Sequence, residues 1–143
     1  MPPTRSLIVA EARAWIGTPY RHQASLKGVG CDCLGLVRGV WRALYGEEPE
    51  RAPPYARDWA EVATNEPLAE AGFRHLVPAD VRAFEPGDVL LFRWRAGMAA
   101  KHAAIVGSSD TMIHAHDGAA VAEVALVPWW RRRIAFAFSF PDP

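Results

Sequence analysis

The two cysteines of the 143-residue chain stand one residue apart, in the segment GVGCDCLGLVRGVW at residues 28–41. Asp32 is a favourable N-cap residue for a helix that extends to about Leu44, so Cys33 falls in the first turn of that helix. A thiol in this position faces unpaired backbone N–H groups and the positive end of the helix dipole, which favour the nucleophilic thiolate. Cys33 is therefore a candidate nucleophile, whereas Cys31 precedes the cap and is assigned to packing or loop structure.

The alternatives for this cysteine pair are a disulfide, a metal site and core packing. Thiols separated by a single residue cannot close a useful disulfide loop, so both are expected to be free. A structural zinc needs about four ligands, usually from two spaced pairs, whereas the chain offers one C-x-C pair and five scattered histidines. A structural zinc site is therefore the less favoured alternative. Core packing stays open, because most free cysteines are small buried residues.

A thiol nucleophile needs a base within hydrogen-bond reach and a third group that orients the base. His102 opens an apolar segment, and His114 lies in the next one, twelve positions later. If the two segments form a hairpin around residues 107–110, the imidazoles come close in space. The competing interpretation is that both histidines are structural. The remaining histidines are His22, His75 and His116.

Helical patterns occupy the first part of the chain. A first helix is predicted over residues 4–16, and its expected buried face consists of Leu7, Ile8, Ala12, Trp15 and Ile16. The apolar stripe of the second helix consists of Leu34, Val37, Val40, Trp41 and Leu44. This helix is expected to stop at Gly46. Residues 47–55 are proline-rich and predict a loop, and shorter helical candidates follow at residues 57–63 and 67–71.

Beyond the turn signal EPGD the pattern changes to short β-rich segments. They cover residues 89–94, 102–106, 111–115, 121–127 and 134–140. In the last segment, Ile134, Phe136, Phe138 and Phe140 alternate with small residues, which predicts one buried face. Helices followed by strands with short connections indicate an α+β fold with an antiparallel sheet. The length fits a single domain over residues 1–143.

Charge and hydropathy exclude several classes of protein. The 16 basic and 16 acidic residues balance, so the basic excess typical of nucleic-acid binding is absent. No apolar run approaches the ~20 residues of a membrane span. Glu11 and Arg13 interrupt the apolar stretch that a signal peptide would need. These features predict a protein that is made in the cytoplasm without a secretion signal.

Five motifs, in their order and approximate spacing, resemble the NlpC family of papain-like cell-wall cysteine peptidases. They are GTPY, GCDCLGLV, PGDVLLF, HAAIVG and MIHA, and they extend from about Trp15 to His114. The resemblance implies a papain-like NlpC fold in which N-terminal helices pack on an antiparallel β-sheet. It also implies that residues 1–143 are one cysteine peptidase domain, which hydrolyses peptidoglycan and needs no cofactor.

The resemblance also implies roles for individual residues. Cys33 is the nucleophile, because the family's cysteine directly follows an aspartate. His102 is the general base, and later the acid for the leaving amine, while His114 orients it. Tyr20, in the PY element, would help the Cys33 backbone N–H to hold the oxyanion. Asp32 is the expected substrate-binding residue, for a free amine of the peptide stem.

One position departs from the family pattern. Many members have a serine directly after the cysteine, and in those that cleave stem peptides this serine helps the aspartate to bind the substrate's amine. Here the position is Leu34, whose side chain cannot hydrogen-bond. The resemblance as a whole therefore implies that the bond hydrolysed lies between γ-D-glutamyl and a diamino acid. Leu34 gives this assignment no support.

The segments GTPYRHQ and GCDCLGLVRGVW look especially like compact family members encoded with phage tails and gene transfer agents. This implies that a phage-tail-like particle (virion) carries the protein, held by tail hub or baseplate proteins, to the peptidoglycan stem peptides of a bacterial wall.

The alternative is a catalytically silent tail plug or hub-binding module of the same fold. The cluster PWWRRR at residues 128–133 has the aromatic and basic composition of protein interfaces. A third possibility is an amidase or acyltransferase that uses the same residues on another acyl compound.

Overall fold

The computed structural model describes residues 4–50 and 65–141. Its helices are α1 Arg5–Ala14, α2 Cys33–Tyr45, α3 Pro67–His75 and α4 Pro128–Arg131. Its strands are β1 Ser25–Leu26, β2 Gly30–Cys31, β3 Val77–Ala79, β4 Val89–Phe92, β5 His102–Ser108, β6 Thr111–His114, β7 Ala122–Ala125 and β8 Ile134–Ser139. None of the helices in these ranges has the length and apolar character needed to cross a lipid bilayer. The predicted helix at residues 57–63 lies outside the described residues, as does the second half of the predicted loop at residues 47–55.

Helix α1 lies within two residues of its predicted ends. The Thr4 hydroxyl accepts a hydrogen bond from the Leu7 backbone N–H (3.2 Å) and caps the N-terminus. The predicted buried face is only partly right, because Leu7 and Ile16 are exposed while Ile8 and Trp15 are buried. The helix meets the rest of the protein along the i, i+4, i+7 line of Ile8, Ala12 and Trp15, with Val9 buried beside it, whereas Leu7 and Ile16 lie on the side that faces solvent.

Helix α2 is confirmed together with both of its predicted ends. Asp32 is its N-cap, and Gly46 follows its last turn with a φ of 94° that favours glycine. The predicted stripe missed Leu36, which is completely buried. Gly39 allows α1 and α2 to approach closely, because a Cβ atom at this position would overlap the indole of Trp15. The two helices therefore pack directly on each other and present one apolar surface to the sheet.

The described strands after residue 65 form a six-stranded antiparallel sheet in the order β3-β8-β4-β5-β6-β7. The layer between this sheet and the helices α1 and α2 includes Ile8, Ala12, Trp15, Leu36, Val40, Ile105, Ile113 and Phe138. The layer on the opposite face includes Leu90, Phe92, Ala104, Val106, Met112 and Leu126. Strands β4 and β5 are buried on both faces, which explains their continuous apolar sequences. The predicted α+β fold with an antiparallel sheet is confirmed.

The five predicted strands correspond to β4 to β8, with ends that differ by at most two residues. The sequence analysis missed β1 and β2, which are two residues each, and β3. Strand β3 carries Pro78 and lies at the edge of the sheet, where a residue without a backbone N–H is tolerated. Neither very short strands nor proline-containing strands give a strong pattern in a sequence.

The last strand departs from its predicted alternation. The register between β4 and β8 shifts, so that Leu91 pairs with Phe136 but Phe92 pairs with Ile134. As a result, the three phenylalanines of this segment pack on the helix side of the sheet, whereas Ile134 packs on the opposite side. The prediction of one buried face is therefore right for the phenylalanines and wrong for Ile134, because an extra residue in one strand reverses the facing of those beyond it.

A buried carboxylate in the EPGD turn joins distant parts of the fold. Asp88 is 2% exposed and accepts hydrogen bonds from the Arg5 guanidinium (2.6 Å), the Ser139 hydroxyl (2.7 Å) and the Glu85 backbone N–H (2.8 Å). These donors belong to the first turn of α1, the end of β8 and the turn itself. Asp88 thus fixes the start of the first helix against the end of the last strand.

We expect Asp88→Ala to lower the free energy of unfolding by about 2–3 kcal/mol, because it leaves buried donors without an acceptor. Urea unfolding followed by circular dichroism measures this change. Asp110→Ala is the matched control, since the Asp110 carboxylate is exposed and pairs with Arg131 at 3.4 Å. Its expected cost is below about 0.5 kcal/mol. Equal losses for the two variants would show that Asp88 does not hold these elements together.

Candidate active site

A cleft of about 290 Å³ opens where the N-terminus of α2 meets the start of β5. Its walls include Tyr20, Asp32, Cys33, Trp94, His102 and His116. All the catalytic and binding residues predicted from the sequence line this cleft except His114, which is buried behind it. The fold therefore gathers into one place residues that are up to 94 positions apart.

Cys33 is the first residue of α2, as predicted. Its side chain is partly buried, and its Sγ atom lies 4.0 Å from the Lys101 carbonyl oxygen, just before β5. The backbone N–H groups of Ala103 and Leu34 also interact with the sulfur and stabilise its thiolate form. Gly35 makes this arrangement possible, because any Cβ atom there would overlap the Ala24 carbonyl of the preceding loop.

The charge state of Cys33 differs from the sequence-based expectation. Burial, together with a smaller contribution from the neighbouring Asp32 carboxylate, raises the pKa of the Cys33 thiol to about 12. The backbone N–H donors lower the pKa, as a helix N-terminus should, but their effect is smaller than the loss of solvation. Without substrate, Cys33 is therefore a neutral thiol at pH 7, and the expectation of a resting thiolate is wrong.

Cys31 has no direct part in the cleft. It lies in β2, is completely buried and belongs to the core between the helices and the sheet. The assignment of Cys31 to packing is confirmed, and both thiols are free.

The β5–β6 hairpin brings His102 and His114 together, as predicted. The pairs Ile105–Ile113 and Val106–Met112 fix its register. Side chains alternate between the faces of a strand, so this register places both imidazoles on the face opposite α2. The His102 Nε2 and His114 Nδ1 atoms are 2.8 Å apart and share a hydrogen bond.

This hydrogen bond defines which His102 nitrogen can serve the thiol. Nε2 of His102 is occupied by His114, so Nδ1 is the ring nitrogen left for a partner in the cleft. If Nδ1 is to accept a proton, Nε2 must carry the ring proton and donate a hydrogen bond to Nδ1 of His114. With the proton placed in this way, the 2.8 Å hydrogen bond is compatible with His102 acting as a base.

Both imidazoles are neutral at pH 7. Burial, with smaller contributions from His114 and His116, holds the pKa of His102 well below its usual value. Burial and His116 lower the pKa of His114 to about 4. The uncharged Cys33 thiol thus stands in a cleft with an uncharged His102–His114 pair.

Aromatic side chains that the sequence analysis did not assign to the site surround these histidines. The Trp94 ring lies 5.5 Å from the His102 ring, and the Trp130 ring lies 5.7 Å from His102 and 5.3 Å from His114. Trp130 comes from the PWWRRR segment, and the sequence analysis did not predict where this segment lies relative to the histidines. By contrast, its neighbour Trp129 is 45% exposed, with the Arg133 guanidinium 3.8 Å from its ring centroid. Trp130 therefore shields the histidine pair from water, and Trp129 faces solvent.

Tyr20 reaches the cleft through backbone pairing with the cysteine segment. It forms an isolated parallel bridge with Cys31, in which the Cys31 N–H donates to the Pro19 carbonyl and the Arg21 N–H donates to the Cys31 carbonyl (both 3.0 Å). This pairing places the PY element beside Cys33. The oxyanion-binding role of the Tyr20 hydroxyl stays a prediction.

Asp32 is committed to holding the backbone around the cleft. One carboxylate oxygen accepts from the Gly35 N–H and the other from the Gln23 N–H, both at 2.7 Å, and the residue is 3% exposed. Gln23 has a positive φ of 65°, which is uncommon for a residue with a side chain. Asp32 therefore caps α2 and anchors the preceding loop at the same time. Its predicted role in binding a substrate amine stays a prediction.

Known structures share this arrangement of helices and sheet. The NlpC/P60 domain of the peptidoglycan hydrolase SagA superposes with a TM-score of 0.65 at 26% identity, and the match covers 96% of this chain and 99% of that one. An NlpC/P60 family protein from Bacillus cereus ATCC 10987 gives 0.68 at 19%, and NlpC2 from Trichomonas vaginalis gives 0.67 at 15%. The chain covers only 40% and 46% of these two structures, although 96% and 95% of its own length is matched. No curated protein sequence is significantly similar to the chain.

The family model for NlpC/P60 matches residues 17–137, which include every residue predicted to act in the cleft. Members of this family are cysteine peptidases that act on peptidoglycan. The chain belongs to the NlpC/P60 family.

Proposed function

We propose that the chain hydrolyses amide bonds in the peptide stems of bacterial peptidoglycan, with Cys33 as the nucleophile. The observation that carries this proposal is the 2.8 Å hydrogen bond between His102 and His114, which leaves one basic nitrogen of His102 for the cleft that contains Cys33. Family membership and the similarity to a domain named as a peptidoglycan hydrolase support the same conclusion.

The reaction begins with a proton transfer that accompanies attack. The Cys33 sulfur bonds to the amide carbonyl carbon as the thiol proton moves to Nδ1 of His102. The resulting imidazolium is stabilised because it donates through Nε2–H to His114. The negative charge moves to the carbonyl oxygen, which the Cys33 backbone N–H and the Tyr20 hydroxyl stabilise.

The tetrahedral intermediate then collapses and releases the amine. The C–N bond breaks as His102 gives its proton to the leaving nitrogen, and the acyl group stays on Cys33 as a thioester. His102, neutral again, takes a proton from water as the water oxygen attacks this thioester. Collapse of the second intermediate breaks the C–S bond, returns the proton from His102 to sulfur and releases a carboxylic acid, which then loses its own proton to the solvent.

The resting charge states require proton transfer and attack to be coupled. With a raised thiol pKa and a lowered imidazole pKa, a thiolate–imidazolium pair is unfavourable before substrate binds. The thiol proton can leave once the carbonyl oxygen, held by N–H and O–H donors, accepts the negative charge. In this mechanism His102 is a general base, not the counter-ion of a pre-formed thiolate.

The proposed scissile bond joins γ-D-glutamyl to a diamino acid such as diaminopimelate. Family resemblance supports this assignment. Leu34 gives the cleft wall an apolar surface where many relatives have a serine. Selectivity for the amine end of the stem would then depend on Asp32 and on other polar groups of the wall, such as Asp117.

The proposed site of action is the cell wall reached by a phage-tail-like particle, with tail hub or baseplate proteins as partners. The resemblance of two segments to phage-encoded relatives supports this part. The exposed Trp129 side chain of α4 and the exposed Arg132 directly after it offer the particle a binding surface. The alternative, a catalytically silent tail plug or hub-binding module, would use the same surface and no chemistry.

We expect Cys33→Ala to abolish amine release from purified stem peptides, with a loss of at least about 10³-fold in kcat/KM, because no other group supplies the nucleophile. Cys31→Ala is the matched control and should stay within about threefold of the parent protein. Liquid chromatography of the released amines measures both. Equal activity of the Cys33 variant and the parent would exclude the proposed mechanism. Complete inactivity of the parent would favour the silent module.

We expect the alkylation rate of Cys33 by iodoacetamide to rise about tenfold per pH unit from pH 6 to 9, without a plateau, because only the thiolate reacts. The Cys31→Ala variant in a chelator-containing buffer isolates this thiol. The same variant unfolded in denaturant should show a midpoint near ~8.5, as free cysteine does. A plateau below pH 7 in the folded protein would instead show a resting thiolate.

We expect the double variant Trp129→Ala/Arg132→Glu to be lost from purified particles of the bacterium that encodes the chain, because it removes the exposed aromatic group and reverses a charge on α4. Immunoblotting of the particles measures incorporation. Lys27→Glu reverses an exposed charge on the β1–β2 turn and should be incorporated normally. Normal incorporation of the double variant would show that α4 is not the attachment surface.

A further inference from the structure

A third histidine stands beside the proposed catalytic pair and has no part in the proposed reaction. His102, His114 and His116 each offer a ring nitrogen within 4.8 Å of the others. Among residues 4–50 and 65–141, they form the one group of three histidine, cysteine or acidic side chains with metal-binding spacing. The ring of His116 lies 5.6 Å from that of His102 and 5.7 Å from that of His114.

The sheet holds the three imidazoles in this arrangement. His102 begins β5, His114 ends β6, and His116 follows two residues later. Because side chains alternate along a strand, the hairpin register brings His102 and His114 to one face of the sheet, and the ring of His116, beyond the end of β6, lies within 6 Å of both. Two members of the group are therefore fixed by strands before any ligand arrives, which reduces the entropy lost on binding.

We propose that His102, His114 and His116 form a Zn²⁺ site in which the metal replaces the hydrogen bond between the first two histidines. Imidazole is a preferred ligand of Zn²⁺, and three histidines with one open position are a known zinc arrangement. The fourth position is left for water, because His116 is exposed and lines the cleft.

The dimensions of the cluster are close to those of a tetrahedral site. With Zn–N bonds of about 2.0–2.1 Å, the ligand nitrogens of such a site lie about 3.3 Å apart. The His102 and His114 nitrogens, now 2.8 Å apart, must separate by roughly half an ångström. His116 must move closer, and it can do so because it is exposed and lies beyond the end of β6.

The surroundings also suit a bound ion. The Trp130 ring lies within 6 Å of all three imidazole rings, and Trp94 contacts His102 and His116. A hydrophobic shell of this kind limits water access and strengthens metal–ligand interactions. The charged residues of the cleft wall are Asp32, Lys101 and Asp117, so the wall carries one more negative than positive charge, which suits a bound cation.

Metal binding would switch off the proposed peptidase. A neutral imidazole has a single ring lone pair, so when Nε2 of His102 binds Zn²⁺ the ring proton resides on Nδ1. Nδ1 can then no longer accept the thiol proton of Cys33. This inhibitory consequence depends on the proposed function, whereas zinc binding itself does not.

The test measures zinc binding directly and compares four forms of the full chain. Chelator-treated protein is titrated with Zn²⁺ by calorimetry, and Co²⁺ is used as a visible-absorbing probe of the ligand set. We expect one ion per chain in the parent, in His22→Gln and in Cys33→Ala, with equal affinities. His22→Gln is the matched control, because it removes another imidazole from the same cleft. His116→Gln should weaken binding at least about tenfold. Circular dichroism verifies that each variant is folded.

Three other results would overturn the proposal. If Cys33→Ala loses the ion while His116→Gln retains it, the metal binds the thiol–imidazole pair instead. If His22→Gln and His116→Gln weaken binding equally, or if the parent binds no Zn²⁺ at millimolar concentration, no dedicated site exists. Zinc inhibition of stem-peptide hydrolysis, relieved by chelator and weakened by His116→Gln, is a separate measurement. A protein without peptidase activity that still binds zinc through His116 would refute the proposed function and leave the metal site intact.

Discussion

The chemistry of the cleft depends on one hydrogen bond, the 2.8 Å contact between His102 Nε2 and His114 Nδ1. When His102 donates this hydrogen bond, its Nδ1 is the ring nitrogen left to accept a proton in the cleft that His102 and Cys33 both line. The contact exists only because β5 and β6 pair in one register, with Ile105 opposite Ile113. A shift of one residue would send one of the two imidazoles to the helix side of the sheet. The apolar core on both faces of the hairpin therefore protects the catalytic geometry as well as the fold.

The burial that fixes this geometry also opposes ionisation. Removing water raises the pKa of the Cys33 thiol and lowers those of His102 and His114, so the neutral forms are favoured in every case. Reactivity then depends on charge that appears only while the substrate carbonyl is attacked. Fixed N–H donors at the start of α2 suit this situation, because they need no reorganisation when the charge develops. A neutral resting cleft also explains why tryptophan side chains can pack so closely around the imidazoles.

Local signals in the sequence were sufficient for much of this structure. The N-cap at Asp32, the stop at Gly46 and the His102–His114 hairpin each involve neighbouring residues or one turn, and each was predicted. The errors concern properties that arise only in the tertiary fold. The exposure of Leu7, the reversed facing of Ile134 and the raised thiol pKa depend on which surfaces meet. Trp94, Trp130 and His116 were missed for the same reason, because no spacing within the chain relates them to Cys33.

The choice of histidine as the orienting residue has consequences for the chemistry. A carboxylate at this position would raise the basicity of His102, whereas the neutral imidazole of His114 orients it without adding charge. His102 is therefore a weak base, and attack relies more heavily on donors that stabilise the oxyanion.

An imidazole also carries a lone pair that suits soft divalent cations, which an orienting amide lacks. The ring of His116 lies only 5.7 Å from that of His114. The residue that orients His102 for proton transfer therefore also belongs to the group of ligands in the proposed metal site, and metal binding there would stop this transfer. Proton transfer and metal binding thus compete through one imidazole, because a metal on Nε2 of His102 leaves the ring proton on Nδ1, the nitrogen that has to accept the thiol proton.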